Sequence, residues 1–343
     1  MKWASGFLSA TVIALGVTIV TLAGSKSPAQ LPSFQPLLLA FDAANDRLYA
    51  AIPTERTDAF HLVVFHHPEK EGTHPGPSFN LPGICSGLSF DSPSDTLFVA
   101  NAVGHELLIF RHAALGPFSR PTRVLRRFNF PTGAYVDQPG ERLFVADAHP
   151  GSLVIFKHPD EIQGEPKPDR IVSGEETGLN GPFAIAADTE RSRLYVSNFD
   201  GVLIFKLDDL SAPPDRLPLP PGTLVRSLSF DSTTGRLYIA TPMLQSFFIY
   251  DGERLEQVKI DGVAGVFPFS MALDPKNDRL YLAGVKHEVG IIEHASGRDS
   301  KGPRPKEMTR SVDRWIRWEE QSPPLPKRPS PSPGLPDMGP ETL

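Results

Sequence analysis

The sequence predicts an all-β protein assembled from six copies of one four-stranded unit, and three observations predict it. An eleven-residue block recurs six times, short aromatic and β-branched runs alternate with turn residues between the copies, and proline is abundant. There are 36 prolines against 28 glycines in 343 residues, and a proline inside a helix removes a hydrogen bond and clashes with the preceding turn. Long helices are therefore excluded over most of the chain.

The chain begins with a different kind of segment, assigned here to residues 1–25. After Lys2, the run Trp3–Ala23 carries no charge and is followed by Gly24, Ser25 and Lys26. That is an export signal. Its length also suits a bilayer span, so the sequence allows either a cleaved signal peptide or an anchor formed by residues 3–23. Ser25 stands where a lipidated cysteine would be required, which argues against a lipoprotein. The expected location is periplasmic or extracellular, with membrane contact only through this segment.

The repeat follows, over residues 30–297. FDAANDRLYAA from Phe41, FDSPSDTLFVA from Phe90, VDQPGERLFVA from Val136, ADTERSRLYVS from Ala187, FDSTTGRLYIA from Phe230 and LDPKNDRLYLA from Leu273 align without a gap. The aspartates Asp42, Asp91, Asp137, Asp188, Asp231 and Asp274 are spaced 49, 46, 51, 43 and 43 residues apart. Each block reads as a strand, a turn and a second strand. A third strand follows a short polar loop, ending at Phe65, Phe110, Phe156, Phe205, Tyr250 and Glu293. A more variable fourth strand is expected in THPGPSFNL, PTRVLRRF, PDRIVSG, PDRLPLP and LEQVKI. A period in the forties with four strands per unit is the arithmetic of a β-propeller, whose small sheets bury their faces against their neighbours. The sixth unit would be closed by Gln30–Gln35 or by the stretch KEMTRSV around Met308.

The pattern of Asp, turn, Arg-Leu-Tyr/Phe, polar loop and Val-Ile-Phe resembles the NHL-repeat and gluconolactonase-like (TolB-like) six-bladed propellers, over roughly three quarters of the chain. The resemblance implies the fold. For the lactonase branch it also implies a divalent cation near the inner strands. The segments leading into the first strands are FQPLLLA, GICSGLS, FPTGAYV, NGPFAIA, LVRSLSF and FPFSMAL, among which only Asn180 matches that family's asparagine-glycine element, and Phe130, Phe183, Phe267 and Phe269 make the rim apolar.

The repeated Asp and Arg suit turns and pairing. His67, His112, His158 and His294 recur one blade apart, too distant to share a metal. Functional candidates lie instead in the loops between second and third strands, which ring closure gathers on one face: Glu55 and Arg56, Asn101 and His105, Asp147 and His149, Asn198 and Asp200, Thr241 and Gln245, His287 and Glu288. Such loops differ in length and chemistry while the strands are uniform, so they are expected to carry specificity. Asn101, His105, Asp147, His149, Asn198, Asp200 and His287 form the expected ligand-binding set. Asn101, Asp147 and Asn198 have the donor chemistry of calcium or zinc ligands, with His149 or His105 as base; equally, they cap strand ends. Cys85 reads either as a nucleophile, given an adjacent histidine, or as a small inner-position residue.

From residue 298 to 343 the chain becomes charged and then proline-rich, with eight prolines in its last 23 residues, and is expected to be disordered there. Within it, Trp315 and Trp318 are expected to dock a short stretch on the propeller or on a partner.

The net charge of −6 argues against nucleic-acid binding, and one cysteine allows no intramolecular disulfide. The expected function is an exported, monomeric, non-catalytic propeller that binds a protein, peptide or glycan on its loop face without a cofactor. The alternative is a metal-dependent lactonase or hydrolase at the channel mouth.

Overall fold

Each repeated block folds as an antiparallel hairpin whose register is set by its own ends. Asp42 pairs with Arg47, Asp91 with Thr96, Asp137 with Arg142, Asp188 with Arg193, Asp231 with Arg236 and Asp274 with Arg279. The last turn residue before the second strand is left-handed in all six copies: Asp46, Asp95, Glu141, Ser192, Gly235 and Asp278 have φ between 48° and 66°. The aspartate accepts backbone N–H bonds inside the turn, as Asp42 does from Ala44 and Asn45 and Asp274 does from Asn277. Its side chain thus offsets the cost of that conformation.

The computed structural model describes residues 37–317 except 54–58, 71–72, 74, 77, 114–119, 163, 245, 262–267, 284–287, 297–307 and 312–313. Six sheets are formed. Blade I comprises Leu38–Asp42, Arg47–Pro53, Ala59–His66 and Phe79–Pro82; blade II Cys85–Asp91, Thr96–Asn101, Glu106–Arg111 and Arg123–Arg126. Blade III comprises Pro131–Asp137, Arg142–Asp147, Ser152–Lys157 and Arg170–Ser173; blade IV Ile185–Asp188, Arg193–Asn198, Gly201–Lys206 and Asp215–Arg216. In blade V the strands are Ser227–Asp231, Arg236–Thr241, Ser246–Tyr250 and Leu255–Asp261, and in blade VI Met271–Asp274, Arg279–Ala283, Glu288–Ile292 and Arg314–Arg317. Within each blade, consecutive strands are antiparallel neighbours, and the first strands stand side by side from I to VI and back to I. This is a six-bladed β-propeller. Among the described residues no helix is long and apolar enough to cross a membrane; the segment 3–23 lies outside them.

Closure differs from both expectations. Gln30–Gln35 lies outside the described residues. Met308–Ser311 does not close blade VI; it adds a fifth strand, parallel to Leu255–Asp261, on the outer edge of blade V. Arg314–Arg317 is the fourth strand of blade VI and runs antiparallel to Glu288–Ile292. Ile316 is buried with Leu37, Leu39 and Val63 of blade I. The expected domain end at 297 is thereby moved to Arg317, and the expected docking of this stretch is a strand of the ring itself. Periodicity could not locate it, because this strand stands well beyond the sixth repeat and carries no copy of the block. Trp318 and the proline-rich tail lie outside the described residues.

Between blades, the second-strand aromatic meets the residue preceding the next blade's aspartate. Tyr49 stacks on Phe90 at 5.2 Å, Tyr195 on Phe230 at 6.1 Å and Tyr281 on Phe41 at 5.1 Å. Phe98 shares a cluster with Val136, Phe144 with Ala187 and Tyr238 packs on Leu273. The arginine reaches across as well: Arg142 pairs with Asp137 of its own blade and donates to the Leu207 carbonyl of blade IV at 2.9 Å. Arg236 donates to the Ser296 carbonyl after the third strand of blade VI. The recurrent histidines belong to the same scaffold, since His67 Nδ1 lies 2.7 Å from Asp46 and His158 Nδ1 lies 2.8 Å from Glu141.

Because Arg314–Arg317 supplies both a strand and the buried Ile316, a chain ending at Ser296 should melt at a lower temperature and aggregate through the exposed edge Glu288–Ile292. Ile316→Ala alone should cost about 2–5 kcal/mol in a denaturant titration. An unchanged midpoint in both would show that the ring does not depend on this strand.

Candidate functional site

The first strands of all six blades surround an axial cavity of about 540 Å³, within the range of ligand-binding pockets. Two features let the strands close around it. Glycine is required at Gly87 and Gly133, where a Cβ would stand 1.8 Å from the Thr132 carbonyl oxygen and 2.4 Å from that of Phe183. Hydroxyl groups then lace the strands: Ser86 donates to the Pro131 carbonyl at 2.6 Å, Thr132 to that of Pro182 at 2.7 Å, and Ser270 accepts from the Leu39 N–H at 2.9 Å. Ser86 and Thr132 are the extra residues of β-bulges in blades II and III, which turns each toward its neighbour.

Asn101, Asp147 and Asn198 are buried, each the last residue of a second strand. Asn101 accepts from the Gly104 N–H at 3.1 Å and donates to Glu106 at 3.1 Å. Asp147 accepts from the N–H groups of Asn129 at 2.9 Å and Phe130 at 2.6 Å, tying down the loop that enters blade III. Asn198 accepts from the Asn180 N–H at 2.7 Å and donates to the Gly178 carbonyl at 3.0 Å and to Asp200 at 2.9 Å. These groups hold loops. Asp200, half exposed, also accepts from Arg216 at 3.0 Å. His105 and His149 are exposed on this face, with His105 Nδ1 2.6 Å from the Asn129 carbonyl. His287, Glu55, Arg56 and Gln245 lie outside the described residues.

Among the described residues, the one group of three His, Asp or Glu ligand atoms within 4.8 Å of one another is Asp46, His67 and Glu69, and neither Asp147 nor the loop histidines belong to such a group. That trio stands at the first turn of blade I, the opposite end from the loops. Its His–Asp contact is repeated by His158 and Glu141 in blade III, which marks it as part of the repeat.

Cys85 is buried and donates to the Gly87 carbonyl at 3.5 Å. Burial pushes its thiol up to about 12, so it is not a thiolate at neutral pH.

Phe183 was read from the sequence only as part of an apolar rim, and Arg226 escaped that reading. They occupy the same register, five residues before Asp231 and Asp188, in neighbouring blades, and the Arg226 guanidinium carbon lies 3.8 Å from the centroid of the Phe183 ring. Burial pushes the Arg226 pKa down to about 10, still cationic at neutral pH. A signal was present: Arg226 is the one charged residue in the six segments leading into the first strands. Among the described residues, the one carboxylate lining the channel is Asp91, at the far end of its strand and bonded to Ser94 and Gln138.

Around this mouth, Val103, Phe199 and Leu244 are 56%, 42% and 43% exposed, each in a loop joining a second to a third strand. Ile171, on an outer strand, is the fourth exposed large apolar residue among those described.

No protein-family model matches the chain, and no curated protein sequence matches it. Its structure is similar to that of Kuenenia stuttgartiensis hydrazine synthase, with a TM-score of 0.55, 12% identity and coverage of 82% of this chain and 83% of that one. At that identity the likeness concerns the fold alone.

Asp147→Ala leaves the Asn129 and Phe130 N–H groups without their acceptor, so it should destabilise by about 1–3 kcal/mol without altering the calcium or zinc content of the purified protein. A stoichiometric metal lost in this variant would reinstate Asp147 as a ligand. Cys85 keeps its proton in the fold, while the unfolded chain releases it near about 8.5. Stability should therefore fall as pH rises from there toward 12, and native protein should react with iodoacetamide at pH 8 far more slowly than protein in urea.

Proposed function

We propose that this chain is an exported binding propeller of the NHL-repeat and gluconolactonase-like kind, taking a protein, peptide or glycan on the face formed by the loops between second and third strands. The observation that carries the reading is the distribution of exposed apolar side chains. Val103, Phe199 and Leu244 stand on these loops, whereas the large apolar strand side chains among the described residues, Ile171 apart, are consumed in the six interfaces between blades. Apolar groups held in water gathered at one face mark an interaction surface, and a rigid ring presents them without ordering cost on binding. The uncharged run Trp3–Ala23 supports export. The reading needs no cofactor and no nucleic acid, and it works as a monomer. The polar groups that a metal-dependent hydrolase would use, Asn101, Asp147 and Asn198, are bonded to loop and strand-end groups of the scaffold, so no observation favours catalysis over binding.

Screening the purified protein against peptide and glycan arrays should yield ligands that are lost when Val103, Phe199 and Leu244 are replaced together by serine. The thermal midpoint should stay within the range of surface substitutions, about ±0.5 kcal/mol each. Ligands retained by the triple variant would remove these loops from the binding surface.

A further inference from the structure

We propose that the mouth of the central channel is a carboxylate-binding site, in which Arg226, laid on the ring of Phe183, takes the acidic side chain or chain end of a peptide ligand. The inference rests on the loop-face reading and names the chemistry recognised there.

Stacking decides which part of Arg226 is available. The N–H donors of a guanidinium lie in its plane, so a ring covering one face leaves the donor edge free and holds it in a fixed orientation. Among the described residues that edge has no partner. Other half-buried arginines of the ring are paired: Arg142 with Asp137, Arg193 with the Gly252 carbonyl, and Arg279 with Glu293. A desolvated cation without a counter-charge lowers stability, so Arg226 contributes less to the scaffold than its neighbours do.

The surroundings define the ligand. One cation, with Asp91 at the distant end of the channel, matches one negative charge, and a carboxylate meets a guanidinium edge with two parallel hydrogen bonds. A doubly charged phosphate would call for a second cation, which the channel lining lacks among the described residues. Phe199 belongs to the blade of Phe183 and Leu244 to the blade of Arg226, so exposed apolar groups flank the cation on the same two blades. A peptide carrying a carboxylate beside an apolar side chain satisfies both. The cavity of about 540 Å³ has room for such a tip.

The test follows the Arg226 Nε–H resonance in full-length protein labelled on arginine, assigned by its loss in Arg226→Gln. The probes are the carboxylate of N-acetylphenylalanine, the corresponding neutral amide and inorganic phosphate. The carboxylate should shift the resonance saturably, the amide should not, and Arg226→Gln should weaken carboxylate binding at least tenfold. Arg226→Gln should also stay folded and melt at a higher temperature than the parent, because an uncompensated charge is gone; a scaffold arginine would give a lower one. An unmoved resonance, equal effects of carboxylate and amide, or phosphate binding tighter than carboxylate would each overturn the proposal. Array ligands lost in the loop variant together with an unmoved Arg226 would refute this site and leave loop-face binding standing. An Arg226 shift with no array ligand would do the reverse.

Discussion

The structure depends on one contact made six times, the burial of a second-strand aromatic against the inner strand of the next blade. Tyr49, Phe98, Phe144, Tyr195, Tyr238 and Tyr281 are each 4% exposed or less, and the six apolar clusters correspond to the six interfaces between blades. A single four-stranded sheet has two apolar faces and cannot cover either, so every blade needs two neighbours and the series must return on itself. Ring closure is therefore a condition of stability. The last blade obtains its outer strand from Arg314–Arg317, well beyond the sixth repeat, and Ile316 fills the interface with blade I.

The repeated polar residues serve that packing. The aspartate stabilises a turn whose final residue is left-handed, the arginine carries a charge to a carbonyl of the next blade, and the histidine after the third strand holds an acidic turn residue in blades I and III. Each of these residue types suggests catalysis when read alone. In place, they bind one another and the turns around them, which is the reason the periodic polar residues explain the architecture and say little about ligands.

The features that the scaffold does not require are found where the repeat is interrupted. Five of the six segments entering the first strands carry no charge, and the exception, Arg226, stands over an aromatic ring instead of beside a carboxylate. The strand-end amides and Asp147 look like a ligand ring in the sequence, yet Asp147 and Asn198 staple the loops that enter their blades and Asn101 ties down its own loop. Exposed apolar side chains on those loops, and a cation for which the described residues hold no counter-charge, are departures from what the scaffold requires.

By itself the sequence determined the six units, their four-strand composition, the turn residues and the core aromatics, because these are local features that recur at a fixed spacing and repetition averages out accident. It also carried the candidate loops, since they are what remains between uniform strands. Only the tertiary structure decided which segment closes the ring, because strand pairing is chosen by geometry at a distance and Arg314–Arg317 has no repeat to announce it. The partners of each polar group were likewise beyond the sequence. Asp147 and Arg226 are both single charges near strand ends, and what separates them is that one faces two backbone N–H groups and the other faces a ring and the open channel.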